Sequence, residues 1–298
     1  MNERGSVAVL LLLFMTILLA MAALVVDIGY LMIENQRLGD ALDAAALAGV
    51  QELVKDPDQA KAIAIQYANE NGVNQPEVII DLEQNQVTVK GKRTVPFFFA
   101  KAIGFKEKTI TASSTAQIKQ VSGGYGFVPL GVVQQSFHYG ELYTLKYDPT
   151  EATNGNFGAL ALGGTGASNY LQNLKNGYQG KLEIGMKIPT ETGNMSGPTR
   201  KGIEDRMESE AGNDLCEDYQ TAPRDCNRIL YLPVIDSLDV NGRNEVTIVG
   251  FAAFYLEGFT GNGNESRITG RFIKTLYSGD WISSGENQFG LYAVKLVR

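Results

Sequence analysis

The chain has 298 residues, too many for one small domain and few for three, so two folded units are expected; 44% hydrophobic and 20% charged residues make it globular. A net charge of −7 argues against a nucleic-acid partner, which calls for a basic field. One histidine, His138, removes most metal sites and every histidine-dependent triad not built on it, and two cysteines cannot make a four-cysteine zinc site.

The strongest local signal comes first. Val7–Val26 is apolar throughout except for Thr16. At a helical rise of about 1.5 Å per residue it reaches about 30 Å, the hydrocarbon thickness of a bilayer. One reading is an uncleaved anchor, with Val7, Leu13 and Val26 marking its two ends and its centre. The other is a signal peptide cleaved near Ala20-Met21-Ala22. The run exceeds the usual length of a signal-peptide apolar region, which favours the anchor. Arg4 and the α-amine against Arg37 put the N-terminus inside by a small margin. Either reading sends the remaining chain across the membrane.

Ile28–Leu53 has no proline, and Leu31, Leu38, Leu42, Ala45 and Leu53 recur at helical spacing. Asp43-Ala44-Ala45-Ala46-Leu47-Ala48 is strongly helix-forming. A single helix is therefore expected to leave the bilayer and continue for several turns. It is either a stalk or an assembly face. Its small residues favour close approach of another helix, so Leu31, Leu38, Leu42, Ala45 and Gly49 are the expected partner contacts, and a helix-mediated oligomer is allowed.

Several separated elements in this region recur together. Arg4-Gly5-Ser6-Val7-Ala8-Val9, the apolar span, Asp27-Ile28-Gly29, Asn35-Gln36-Arg37-Leu38 and Asp43-Ala44-Ala45-Ala46-Leu47-Ala48-Gly49 resemble the TadE/TadG-like group of Flp/Tad pilus-assembly proteins, with the TadG-like N-terminal form the better fit. The resemblance covers about Asn2–Leu53. It implies a bacterial envelope protein that assists pilus assembly or secretion. Prepilin-type members carry a glutamate five residues after a cleaved glycine. Here the fifth residue after Gly5 is Leu10, which argues against such processing. The Asp-x-Ser-x-Ser metal motif of some longer relatives is also absent, Asp236-Ser237-Leu238-Asp239 being a different pattern.

Beyond the helix, Gln59–Glu70 reads as amphipathic, with Ala60, Ile63, Ala64 and Tyr67 on one face and Asn71-Gly72 as its C-cap. Glu77–Leu82 and Gln86–Gly91 read as strands, Pro96–Gly104 as a short helix starting at proline, and Ile110–Ile118 as another strand. The three aromatics Phe97, Phe98 and Phe99 are divided between the core or membrane-facing edge of that helix and contact with headgroups or a partner. Ser122-Gly123-Gly124 is the expected junction. After it come Phe127–Val133, Leu142–Tyr147, Leu182–Ile188, Ile229–Ile235, Val246–Glu257, Ile268–Tyr277 and Gly290–Val297, a spacing that suggests a mainly antiparallel β unit. Tyr170–Leu174 and Gly202–Met207 are its helical pieces.

Chemistry is sparse. The glycine-rich stretch from Gly155 to Gly166 has neither a Gly-Lys-Ser/Thr ending nor a Gly-x-Gly-x-x-Gly pattern, so turns and close packing are its expected role. Ser168 lacks the Gly-x-Ser-x-Gly elbow, and only His138 could serve as its base. Glu204–Asp225 is rich in carboxylates but does not follow the spacing of a calcium loop, so a solvated acidic surface is expected. In an oxidising compartment Cys216 and Cys226 read as a disulfide clamping that loop; in the cytoplasm they would be two free thiols.

The reading is an α+β protein: residues 1–54 a transmembrane and juxtamembrane helix, 55–120 a small α+β module, and 121–298 a mainly antiparallel β domain. No catalytic residue, metal or cofactor is expected. The expected role is a non-enzymatic, single-pass accessory protein of pilus assembly, N-terminus cytoplasmic and C-terminal domain outside, with the bilayer and envelope proteins as partners. An anchored solute-binding protein or enzyme and a minor pilin-like subunit are the alternatives.

Overall fold

The computed structural model describes residues 3–147, 156–192, 194–238, 244–261, 267–282 and 289–297. The chain forms two compact units, residues 1–118 with 294–298, and residues 119–293. Its class is α+β, as expected, with a long apolar N-terminal helix and mixed, mainly antiparallel sheets.

In the first unit, α1 runs without a break from Glu3 to Glu52. No proline interrupts it, and alanine and leucine dominate it. After a short turn, α2 (Pro57–Glu70) begins at Asp56, whose carboxylate accepts the N–H groups of Asp58 at 2.8 Å and Gln59 at 3.3 Å, with Pro57 in the first turn. Asn71 ends it, followed by Gly72 at φ 75°. Its buried face is Ala60, Ala64 and Ala68, while Tyr67 stays exposed.

In the sheet of this unit β1 (Glu77–Asp81), β2 (Gln86–Pro96) and β3 (Glu107–Gly124) are consecutive neighbours, paired antiparallel. The expected helix at Pro96 is a strand end. The β2–β3 ladder continues to the pair Pro96↔Glu107, and Phe97 N–H closes it on the Lys106 carbonyl at 3.0 Å. Proline is tolerated there because a strand terminus needs no further ladder donor. The helical part shrinks to a single 3-10 turn, Ala100–Ile103, ended by Gly104 at φ 97°.

The core of this unit is α1 against α2 and β2. Leu38, Leu42, Ala45, Ala46 and Val50 have no exposure, nor do Ala60, Ala64, Val87 and Val89. Two glycines allow the close approach. A Cβ on Gly49 would sit 2.8 Å from Ala64 Cβ, and one on Gly91 would sit 3.0 Å from Leu42 Cδ2.

The expected junction Ser122-Gly123-Gly124 is not a linker, since it is the end of β3. Its glycines serve packing: a Cβ on Gly123 would meet the Leu182 carbonyl at 2.6 Å, and one on Gly124 the Tyr277 hydroxyl at 2.6 Å.

The second unit contains β4 (Leu130–Val133), β5 (Leu142–Tyr147), β6 (Asn156–Ala159), α3 (Ala167–Asn176), β7 (Leu182–Glu183), β8 (Lys187–Pro189), α4 (Ser196–Ser209), β9 (Ile229–Ile235), β10 (Glu245–Thr260), β11 (Arg267–Ile273), β12 (Thr275–Leu276), β13 (Asp280–Ile282) and the first three residues of β14 (Leu291–Val297). One sheet has the order β11-β5-β6-β4-β9-β10-β8, and an additional β10–β11 pairing closes β11, β5, β6, β4, β9 and β10 into a ring. Most pairs are antiparallel, but β4–β9 and β5–β6 are parallel. The apolar runs Leu182–Ile188 and Ile268–Tyr277 each break into two short strands.

Burial explains why β10 reads as a nearly continuous apolar run. Ala252, Phe254 and Leu256 face one core with Tyr170 and Leu174 of α3 and Ile203 of α4. Phe251, Ala253 and Tyr255 face a second core that holds both cysteines. A strand covered on both faces has no solvent-facing alternation.

Candidate functional site

The polar features of α1 lie where the apolar run ends. Asp27 is 3% exposed, directly after Val26. Its carboxylate accepts the N–H groups of Phe98 at 2.7 Å, Phe99 at 3.0 Å and Ala100 at 2.6 Å. Successive amides of one turn converging on one anion make a concave anion cradle, here filled by the protein's own carboxylate. The Tyr30 ring meets Phe98 edge-on at 5.1 Å.

Further along the same helix, Glu34 is 8% exposed and accepts from Arg93 at 3.0 Å and Arg37 at 2.7 Å. Arg93 of β2 also donates to the carbonyls of Asn71 at 3.0 Å and Gly72 at 3.3 Å, so it joins α1, β2 and the end of α2. Asp43 accepts from the Ser114 hydroxyl of β3 at 2.6 Å. Three carboxylates on α1 thus each hold a different part of the sheet: the β2–β3 loop, β2 and β3. Apart from Arg37, the partners of these carboxylates lie far away in the chain, and no local pattern reveals them.

The Glu34 carboxyl is pushed up by desolvation, but the hydrogen bonds and charges of Arg93 and Arg37 outweigh this and hold it below its ordinary value of 4.5. A group with a depressed folded-state pKa contributes stability that is complete above the ordinary value and is lost as the pH falls through the folded value. Urea unfolding of the micelle-embedded chain should therefore show an acid-side decline of the first unit that is shallower in Glu34→Gln. An unchanged decline would exclude this pair as a source.

The five expected partner contacts are placed differently from the sequence reading. Leu38, Leu42 and Ala45 are fully buried, Gly49 packs on Ala60 and Ala64, and Leu31 is half-buried. The small residues that permit close helix approach are taken up by the chain's own α2 and β2. Val7, Leu13 and Val26 are 62%, 56% and 48% exposed, so their apolar surface has no protein cover. The most apolar part of this helix has a mean hydropathy of 3.1 over 18 residues, long and apolar enough to cross a membrane. Apolar exposure continues past Asp27 at Ile28, Met32 and Ile33.

In the second unit Cys216 and Cys226 are bonded, with Cα atoms 6.0 Å apart, and the Tyr255 hydroxyl donates to the Cys216 carbonyl at 2.7 Å. Glu210 lies close to both sulfurs, but they are spent on each other, and its carboxylate accepts the Asn227 N–H at 2.7 Å. Asp205 pairs with Lys175 and Lys201, and Glu204 with Arg200, so part of the acidic stretch is neutralised locally. Reducing the bond, or Cys216→Ser with Cys226→Ser, should lower the stability of this unit by about 2–3 kcal/mol, from the entropy regained by the unfolded loop. Thermal unfolding with and without reductant measures it.

Ser168 and His138 are both exposed, one in α3 and the other in the connection from β4 to β5. A shallow cleft of about 580 Å³ on the first unit is lined by Gln75, Glu77, Lys90, Gly91, Lys92, Thr111, Ala112 and Ser113. Neither cysteine nor histidine lines it.

An uncovered apolar helix, continuous with a helix clamped by its own carboxylates onto a small sheet, is compatible with a membrane anchor by its length and composition. Residues 5–52 match the model of the Flp pilus-assembly TadE/G-like family, called Tad. The match spans the apolar helix and the clamp residues Asp27, Glu34 and Asp43 of α1. The chain matches no curated protein and no solved structure.

Proposed function

We propose that this protein is a single-pass, non-enzymatic accessory protein of Flp/Tad-type pilus assembly or secretion. In this reading α1 crosses the bacterial cytoplasmic membrane with its N-terminus inside, and both units lie outside. The observation that carries it is the Tad-family match over 5–52, which includes the stretch of α1 whose apolar surface is left without protein cover. The partner face moves from Leu38, Leu42 and Ala45, which are buried, to the exposed Ile28, Met32 and Ile33. These continue the surface of the span into the aqueous side, where another envelope helix could pack along both.

The test is made in the native cell. A photo-cross-linking residue at Met32 should capture a component of the pilus machinery, while one at the buried Leu38 should not. Deleting the gene should abolish piliation or the associated secretion. Full piliation in the deletion strain would overturn the proposal.

A further inference from the structure

The turn held by Asp27 presents an apolar surface of which the fold covers only the Phe98 edge, against Tyr30. Phe98, Phe99, Ile103 and Phe105 are 59%, 52%, 76% and 64% exposed, within one short connection between β2 and β3. Such a cluster on a soluble surface is costly and marks a contact site. Lys101, Lys106 and Lys108 stand among or beside these residues, against Glu107.

The position of the turn identifies what covers it. A helical side chain leans toward the N-terminus of its helix and lies over the preceding turn. The Asp27 carboxylate therefore reaches back toward the apolar span, and the three amides bound to it lie at that depth. Ala23, one turn before Asp27, is half-buried, whereas Ala20 and Ala22 are exposed. The turn meets α1 at Asp27 and Tyr30, directly after the last apolar residue of the run, Val26. Burying the Asp27 charge against three N–H donors removes the anion that would otherwise oppose such a depth.

We propose that the Phe98–Phe105 turn is a second membrane contact, with Phe99, Ile103 and Phe105 seated at the headgroup–acyl boundary of the leaflet in which α1 ends. Aromatic side chains favour that boundary, and the neighbouring lysines suit anionic phospholipid phosphates. Asp27 is a positioning residue that fixes the turn at this depth. With two points of attachment the first unit is held at the surface in one orientation, where a bare helix would let it swing. This inference rests on α1 spanning the bilayer.

The experiment uses the full chain in vesicles of phosphatidylcholine and phosphatidylglycerol with brominated acyl chains. Trp281, the single tryptophan, is replaced by phenylalanine, and one reporter is introduced as Phe99→Trp or, separately, Leu13→Trp. The Phe99→Trp variant should emit at shorter wavelength than in water and be quenched most by bromines near the headgroup. Leu13→Trp should be quenched most by bromines near the bilayer centre. Quenching of Leu13→Trp with a water-like, unquenched Phe99→Trp would overturn the inference and leave the anchor standing. Absence of quenching in both would overturn the anchor and this inference with it.

Discussion

Leu42→Ala is expected to destabilise the first unit by about 2–5 kcal/mol, the range for truncating a fully buried leucine. Leu42 has no exposed surface, and its Cδ2 lies where a side chain on Gly91 would have to go. The cavity would open between α1 and β2, two elements also joined by the Glu34–Arg93 pair, so the backbone has little freedom to collapse into it. Hydrogen exchange of the β2 amides, or urea unfolding in micelles, measures the loss. The result separates two roles for the same residue. A leucine reserved for a partner helix would leave the isolated protein's stability unchanged and weaken only co-purification. Stability within about 0.5 kcal/mol of the parent would be a surface residue's behaviour and would contradict the packing of Leu42 between α1 and β2.

Leu13→Arg should raise the insertion free energy of the N-terminal helix by about 2.5–3.5 kcal/mol on the translocon scale. Leu13 is near the middle of the apolar run, 56% exposed, with exposed leucines on either side and no carboxylate within reach to pair an arginine. The expected result is a shift of the protein from the membrane fraction to the soluble or degraded pool. Arginine at exposed Asn35, beyond the apolar run, should leave fractionation unchanged. Membrane recovery of Leu13→Arg equal to the parent would count against this segment as the span.

Much of the architecture was legible because it is local. The apolar run, the absence of proline through Leu53 and the alternation in Gln86–Gly91 each report on neighbours in the chain, and α1 and β2 follow from them. Pro96 shows where local reading fails. Proline before three phenylalanines is a good helix start, yet the ladder with Glu107 captures it as the last rung of β2. The break of Leu182–Ile188 into two strands has the same cause: each half pairs with a different distant strand, β7 with β3 and β8 with β10.

By itself the sequence determined that an apolar helix stands at the N-terminus, that it continues as helix beyond the span, and that a strand-rich α+β body follows. These are properties of periodicity and composition. Only the tertiary structure decided what the helix is for at each turn. Its small residues could serve either a partner or the chain's own α2, and sequence spacing is the same in both cases. Closure of α2 and β2 over α1 buries Leu38, Leu42 and Ala45 and leaves Ile28, Met32 and Ile33 outside. The same closure brings Asp27 to amides 71 to 73 residues away in the chain, because long-range burial, and not local propensity, sets which charges find partners.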